Sequence, residues 1–343
     1  MRTRAQAKIA ASGGLITRQE ALDCGVTPSE IAQLVRAKVW VIVRRGVYAD
    51  AATWAELDEY RGRPRLRSRA AIATMRRGWV LSHDSAAHEL GLDILNPKEP
   101  FVHVTRPGFS SAWTRYGVKH HYARFTPRQV VEVEGMRVLD AARTAVDIAR
   151  ERGEMHGVVA ADSALRLGVP RSRLIEAYTP MEFWPGVTNA RSAVDQADAG
   201  ADNVAESLGR MLVKELGIGE PETQFPVLAS ANLYWCDIRV GNHMFEVDGL
   251  IKYLSSAEGG LAEKSAREVL KDEKVRQQEV CARGLGMSRI LWDDFWGAQR
   301  QLATRRLRAE YAVTLQRFGP DLPDHLLRQA REIRDRFTRR RGA

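Results

Sequence analysis

The stretch "CDIRVGNHMFEVDGLIKY", residues 236–253, alternates apolar and polar residues like a strand, yet Asp237, Glu246 and Asp248 interrupt it. Gly241–Asn242 between two alternating runs signals a two-residue hairpin. That loop sets Val240 against His243 and puts Asp237 directly opposite Glu246. Cross-strand partners share a face with Cβ atoms about 4.5–5.5 Å apart. Asp248, two residues after Glu246, points the same way, while Ile238, Val240, Phe245 and Val247 form the opposite, core-facing side. Three carboxylates on one face repel one another, and burial raises the cost. A Mg²⁺ or Mn²⁺ ion removes the conflict, because hard cations take carboxylate oxygens. Such an ion activates water and stabilises charge on a phosphodiester. Lys252, four residues past Asp248, is placed to donate to that charge. The expected catalytic set is Asp237, Glu246, Asp248 and Lys252.

The flanking sequence supplies a frame for this hairpin. "DNVAESLGRMLVKELG" (202–217) is an amphipathic helix with Val204, Leu208, Met211, Leu212 and Leu216 on one side. Its Glu206 is a further metal-facing carboxylate beside Asp237 and Glu246. "TQFPVLA" (223–229) and "LYWCDIRV" (233–240) read as strands. "EKSAREVLKDEKVRQQEVCAR" (263–283) is helical up to Gly284, and "SRILW" (288–292) is a final strand. The order is αβββαβ. Arrangement and residues together resemble the PD-(D/E)xK nuclease superfamily, in the branch related to very-short-patch-repair endonucleases, over roughly residues 200–295. The resemblance implies that Asp237 and Glu246 are the metal acids. Asp248 stands where the motif has lysine, and Lys252 is the substitute ammonium. It also implies that Lys274, Arg276 and Gln277 face phosphates. The zinc site and catalytic histidines of the mismatch-nicking relatives have no counterpart in this stretch.

"GGLITRQEALDCGVTPSEIAQLVRAKVWVIVRRGVYA" (13–49) carries a different signal. Thr17 with Glu20, and Thr27 with Glu30, are capping boxes that start two short helices, and Pro28 suits the first position of the second. Gly25 ends the first helix. Helix, glycine turn and helix, followed by VWVIV and GVYA around Arg44–Arg45–Gly46, predict a winged helix-turn-helix. Ser29, Gln33 and Arg36 are then available for base edges in the major groove, and Lys38, Arg44 and Arg45 for phosphates. The same architecture also serves protein contacts. With "LSHDSAAHELGL" (81–92) and "VLDAARTAVDIAR" (138–150), this region resembles the winged-helix half of AbiEi-type antitoxins of abortive-infection systems, over roughly residues 5–170. That resemblance implies a repressor or antitoxin-like DNA-binding half with a separately encoded toxin partner.

Charge separates the chain into the same parts. Residues 1–150 hold 24 Lys and Arg against 15 Asp and Glu, residues 151–299 hold 16 against 23, and residues 300–343 hold 12 against 5. Basic ends around an acidic middle suit polyanion-binding ends and a segment with another task. "YRGRPRLRSR" (60–69) has arginine at alternate positions and reads either as a phosphate-tracking run or as a solvated linker. Three widely spaced cysteines exclude a CxxC knuckle and a disulfide framework and suit a reducing cytoplasm. No signal-peptide run and no membrane span are expected. His120–His121 and His83 with His88 make poor metal pairs, because adjacent strand residues point to opposite faces and an i,i+5 spacing suits no helix face.

The expectation is an α/β multidomain chain. Residues 1–75 form the winged helix-turn-helix, 76–182 an α+β coupling domain, 183–297 a restriction-endonuclease-like αβββαβ domain, and 298–343 a basic helical tail. Its partner is double-stranded DNA, with a toxin or a second copy as a further partner and no membrane. Two functions stand: a Mg²⁺-dependent endodeoxyribonuclease in phage defence or a toxin–antitoxin-like system, or a non-catalytic AbiEi-type repressor with a degenerate nuclease fold. An RNA-cutting nuclease shares the first reading's site.

Overall fold

Thr17 and Thr27 start their helices in the predicted way. The Glu20 carboxylate accepts from the Thr17 N–H at 2.9 Å, and the Glu20 N–H donates to Thr17 Oγ1. Glu30 and Thr27 repeat the pattern at 2.8 and 3.3 Å. Each box satisfies N-terminal amides that the helix cannot bond. Gly25, at φ +86°, makes the turn between the two helices.

The computed structural model describes residues 2–75, 78–108, 111–229, 232–248 and 266–341. The chain divides into two units, Met1–Ala197 and Asp198–Ala343. The first opens with α1 (Arg2–Ala11), β1 (Leu15–Thr17), α2 (Arg18–Asp23), α3 (Pro28–Arg36), β2 (Trp40–Arg44) and β3 (Val47–Asp50). The three strands pair in the order β1-β3-β2. Ile16, Ala21, Ile31, Leu34, Trp40 and Tyr48 pack together as the core of this winged helix. The N-terminal helix and β1 are elements that the apolar pattern alone did not disclose.

Next come α4 (Ala51–Glu56), α5 (Gly62–Ala73), β4 (Val80–Leu81), α6 (His83–Leu90), β5 (Val102–Arg106), β6 (Ser111–Arg115), β7 (Val118–Tyr122), β8 (Val130–Val133) and β9 (Met136–Leu139). Their strands form a six-stranded sheet in the order β6-β7-β5-β4-β9-β8. Four helices complete the unit: α7 (Ala141–Arg152), α8 (Glu154–Arg166), α9 (Arg171–Tyr178) and α10 (Val187–Gln196).

The alternate-arginine run is not a linker but mostly helical. It lies on α5, where Arg65 and Arg69 both bond Glu89, which is buried, and Glu134. Arg63 and Arg67 stack over Trp54. A period of two in sequence thus hides a helix whose arginines are spent on internal pairs. On α7, Arg143 is 1% exposed. Its Nε donates to Asp147 at 2.8 Å and its Nη1 to the Arg124 carbonyl at 2.8 Å. Arg150 donates to the other oxygen of Asp147 at 3.0 Å.

The second unit has α11 (Val204–Glu215), β10 (Glu222–Ala229), β11 (Asn232–Val240), β12 (His243–Asp248), α12 (Ala266–Cys281), β13 (Gly286–Leu291), α13 (Gly297–Phe318) and α14 (Asp324–Arg341). This is the expected αβββαβ order followed by two helices. The sheet runs β10-β11-β12-β13, antiparallel except for the parallel pair β12–β13. Phe225, Val227, Cys236 and Met244 pack with Val280 of α12 and with Leu322, Leu326 and Ala330 around and on α14. Gly209 of α11 lies against Val247 and Ile238, where an added Cβ would come within 2.6 Å of Val247. The tail is therefore part of this unit's core. Asn242 in the hairpin loop donates to the carbonyls of Phe318, Gly319 and Asp321. Gly241 is held at φ +55° with the Pro320 carbonyl oxygen 2.6 Å from where a Cβ would sit. Among the described residues no helix is long and apolar enough to cross a membrane.

Candidate functional site

The β11–β12 hairpin has the register that its two-residue loop dictates: Val240 faces His243, Arg239 faces Met244 and Ile238 faces Phe245. There the backbone ladder stops. Instead of a backbone pair at the next level, the Asp237 carboxylate accepts from the Val247 N–H at 2.8 Å. On the other side of Asp237, β10 pairs Thr223 with Ile238 and Phe225 with Cys236, while Gln224 between them takes φ +49°. Side chains rarely adopt that conformation. β11 and β12 part at Asp237, while β10 keeps its register past it with no residue inserted. The direct Asp237–Glu246 pairing is thus replaced by a side-chain-to-backbone bond.

Four acids come to this part of the sheet, each less than a tenth exposed: Glu206, Asp237, Glu246 and Asp248. Glu206 stands in the first turn of α11, capped by Asn203. Its carboxylate accepts from the Asp202 N–H at 2.8 Å, from Asn203 Nδ2 at 2.7 Å and from Gln224 Nε2 at 3.1 Å. Burial, followed by the negative charge of Asp237, pushes its carboxyl up to about 7. Two acids that disturb each other while buried are what a divalent cation relieves. Glu206, Asp237 and Glu246 offer the oxygen donors that Mg²⁺ or Mn²⁺ takes, but among the described residues their oxygens do not all lie within 4.8 Å of one another.

The remaining two acids are met by arginines. Arg276 of α12 lies 2.8 and 2.9 Å from the two oxygens of Glu246 and donates to the Trp235 carbonyl at 2.6 Å. Arg276 is thus engaged inside the unit, where α12 packs on β10 and β13 and carries the guanidinium over the sheet. Arg289 of β13 donates to Asp248 at 3.0 Å. Lys274 and Gln277 on α12 are exposed. Lys252 lies outside the described residues. Gln224 and Arg289 went unread in the sequence, since a left-handed strand residue and a parallel strand neighbour are set by pairing partners distant along the chain.

The raised Glu206 carboxyl has a pH consequence. An acid whose folded pKa exceeds its unfolded value contributes stability that is full below the unfolded pKa and is lost as pH rises through the folded one. From its ordinary 4.5 to about 7, this amounts to on the order of 3 kcal/mol at most. Chemical denaturation of the second unit should show stability falling between those two pH values in metal-free buffer, with a flatter profile in Glu206→Gln. An identical slope in both proteins would reject this assignment.

In the first unit Ser29, Gln33 and Arg36 project from α3 as exposed side chains, and Lys38 and Arg45 are exposed beside them. Arg44 differs: its Nη1 donates to the Tyr116 carbonyl at 3.0 Å, so this wing residue braces the β6–β7 turn. Behind the wing a cleft of about 780 Å³ is lined by Arg44, Arg45, Arg63, Arg67 and Lys98 among others. Residues 4–49 match the family model described as "Transcriptional regulator, AbiEi antitoxin". The match covers this N-terminal segment, well under half of the chain.

Similarity to whole proteins is partial. Two proteins of Mycobacterium tuberculosis, the uncharacterized proteins MT2308 (strain CDC 1551 / Oshkosh) and Rv2248 (strain ATCC 25618 / H37Rv), are each 29% identical over 104 residues. That match covers 30% of this chain and 38% of each relative's length. Among solved structures, the RV2827C protein from Mycobacterium tuberculosis aligns with a TM-score of 0.37 and 17% identity, covering 60% of this chain and 79% of that one.

Proposed function

We propose that the chain is a double-stranded-DNA-binding regulator of AbiEi type whose second unit is a metal-dependent endonuclease-like domain, acting in phage defence or a toxin–antitoxin-like system. The observation that carries the nuclease half is the set of buried carboxylates where β11 and β12 part, with Glu206 raised by Asp237. Asp237, Glu246 and Glu206 would hold Mg²⁺ or Mn²⁺. When bound, that ion supplies an activated water and charge stabilisation at a phosphodiester. Asp237 is fixed by the Val247 N–H, and Glu206 by three donors, so both are oriented before any ion arrives. Asp248 stands next to them as the further catalytic acid, and Lys252 as the candidate ammonium. DNA is gripped by Ser29, Gln33 and Arg36 at base edges and by Lys38 and Arg45 at phosphates.

A second reading is a non-catalytic repressor with a toxin partner or a second copy. The Arg276–Glu246 and Arg289–Asp248 pairs favour it, because they neutralise two of the acids without an ion. One assay separates the two: the purified chain with labelled duplex DNA, with and without Mg²⁺ or Mn²⁺. Cleavage that needs the ion supports the nuclease, and tight binding that never yields product supports the repressor. In the binding arm, Arg36→Ala and Gln33→Ala should each weaken specific DNA binding by about 1–3 kcal/mol. Retention of full affinity and selectivity in both variants would remove α3 from the interface.

A further inference from the structure

We infer that the first unit holds a second, chemically different metal site, formed by His83, His103 and His121, for a borderline divalent ion of the Zn²⁺ class. Three separate elements bring the rings together. His103 lies on β5 and His121 on β7; these strands pair in parallel with Thr105 beside His121 and His103 beside Lys119. His103 and His121 therefore project from one face of the sheet as diagonal neighbours. His83, the first residue of α6, stacks on His121 with ring centroids 4.0 Å apart. All three are buried, and one ring nitrogen from each lies within 4.8 Å of the others. His120 projects from the other face of β7, stacked on Trp113, and is not part of the group.

The distances suit imidazole ligands. Nδ1 of His103 and Nε2 of His121 are 3.1 Å apart. Two nitrogens bound to one tetrahedral Zn²⁺ at about 2.0–2.1 Å stand roughly 3.3 Å from each other. Ser82 Oγ lies 3.0 Å from Nδ1 of His83 and itself accepts from Thr105 Oγ1 at 2.7 Å. An oxygen on one ring nitrogen fixes the tautomer and leaves the other nitrogen for metal, the usual outer-shell arrangement. His83 also takes φ +48°, a conformation kept only where its surroundings enforce it.

The electrostatic setting favours ligands over charged switches. Burial is the first cause that holds His83 and His103 well below the ordinary histidine range and His121 at about 4, so the rings are neutral, the form that binds metal. Asp147 and Glu151 act on His121 against Lys119 and Arg150. Nitrogen donors select Zn²⁺, Co²⁺ or Ni²⁺, whereas the carboxylates of the second unit suit Mg²⁺ or Mn²⁺. The site does not depend on the nuclease reading.

The test uses the full chain carrying Asp237→Ala and Glu246→Ala, which removes the carboxylate site, titrated with Co²⁺ and then Zn²⁺ alone. One equivalent of Co²⁺ should give the visible bands of nitrogen coordination, and Zn²⁺ should displace it. His103→Ala and His121→Ala should each lose the bands and bind Zn²⁺ about 100-fold or more weakly, and Ser82→Ala about 10-fold more weakly. Zn²⁺ should also move the imidazole ¹⁵N resonances of all three histidines in the chain with its histidines intact, a readout that stands even where a histidine variant fails to fold. Unmoved resonances, or bands that survive in folded His103→Ala and His121→Ala, overturn the proposal.

Discussion

Asp237→Ala should reduce Mg²⁺-dependent cleavage of duplex DNA by on the order of 10³-fold or more, while leaving DNA binding intact. The scale follows from removing a ligand of an ion that both activates water and stabilises transition-state charge. Binding survives because α3 and the wing belong to the first unit. Asp237 also accepts from the Val247 N–H, so alanine strands a buried amide and should cost a further 1–3 kcal/mol or so of stability in the second unit. Asp237→Asn separates the two effects: its side-chain oxygen still accepts that bond, but its ligand charge is gone. Cleavage by Asp237→Asn at the rate of the unsubstituted chain would sink the metal-site reading, whereas equal loss in both variants with stability restored in Asp237→Asn would support it.

Asp147→Ala should be the most destabilising single change in the first unit. It leaves Arg143, 1% exposed, with the Arg124 carbonyl and the face of Trp184 but no counter-charge on its own helix turn. Breaking a buried pair from one side costs about 3–5 kcal/mol, because the remaining charge keeps its desolvation penalty. For a unit of this size, that lowers the melting midpoint by roughly 10 °C. The double variant Asp147→Ala with Arg143→Met removes both charges and should recover part of the loss, since apolar replacement of a whole buried pair is often neutral. A double variant that loses as much as the two single changes added together would show that the stranded charge is not the cause.

Local chemistry was legible in the sequence where it is decided locally. The capping boxes at Thr17 and Thr27, the Gly25 turn and the Gly241–Asn242 hairpin each involve residues within a few positions of one another, and each stands as read. The αβββαβ order of the second unit followed from the same kind of pattern. Long-range partners were not legible. Arg276 reaches Glu246 across thirty positions, and Arg65 and Arg69 sit on a helix whose partners, Glu89 on α6 and Glu134 in the β8–β9 turn, are distant along the chain. The three histidines were hidden for the same reason: only the parallel pairing of β5 with β7 places His103 near His121. Arg44, legible as a wing cation, is held by a carbonyl 72 positions away.

The hairpin loop carries one more consequence. The Asn242 amide is fastened to three carbonyls at the α13–α14 junction, and Gly241 leaves no room beneath Pro320 for a larger residue. The far end of the polypeptide thereby works as a latch on the strand reversal that aims Asp237. A protease nick near Pro320, distant along the chain from Glu206, Asp237, Glu246 and Asp248, would release that latch and slacken the carboxylate cradle from behind.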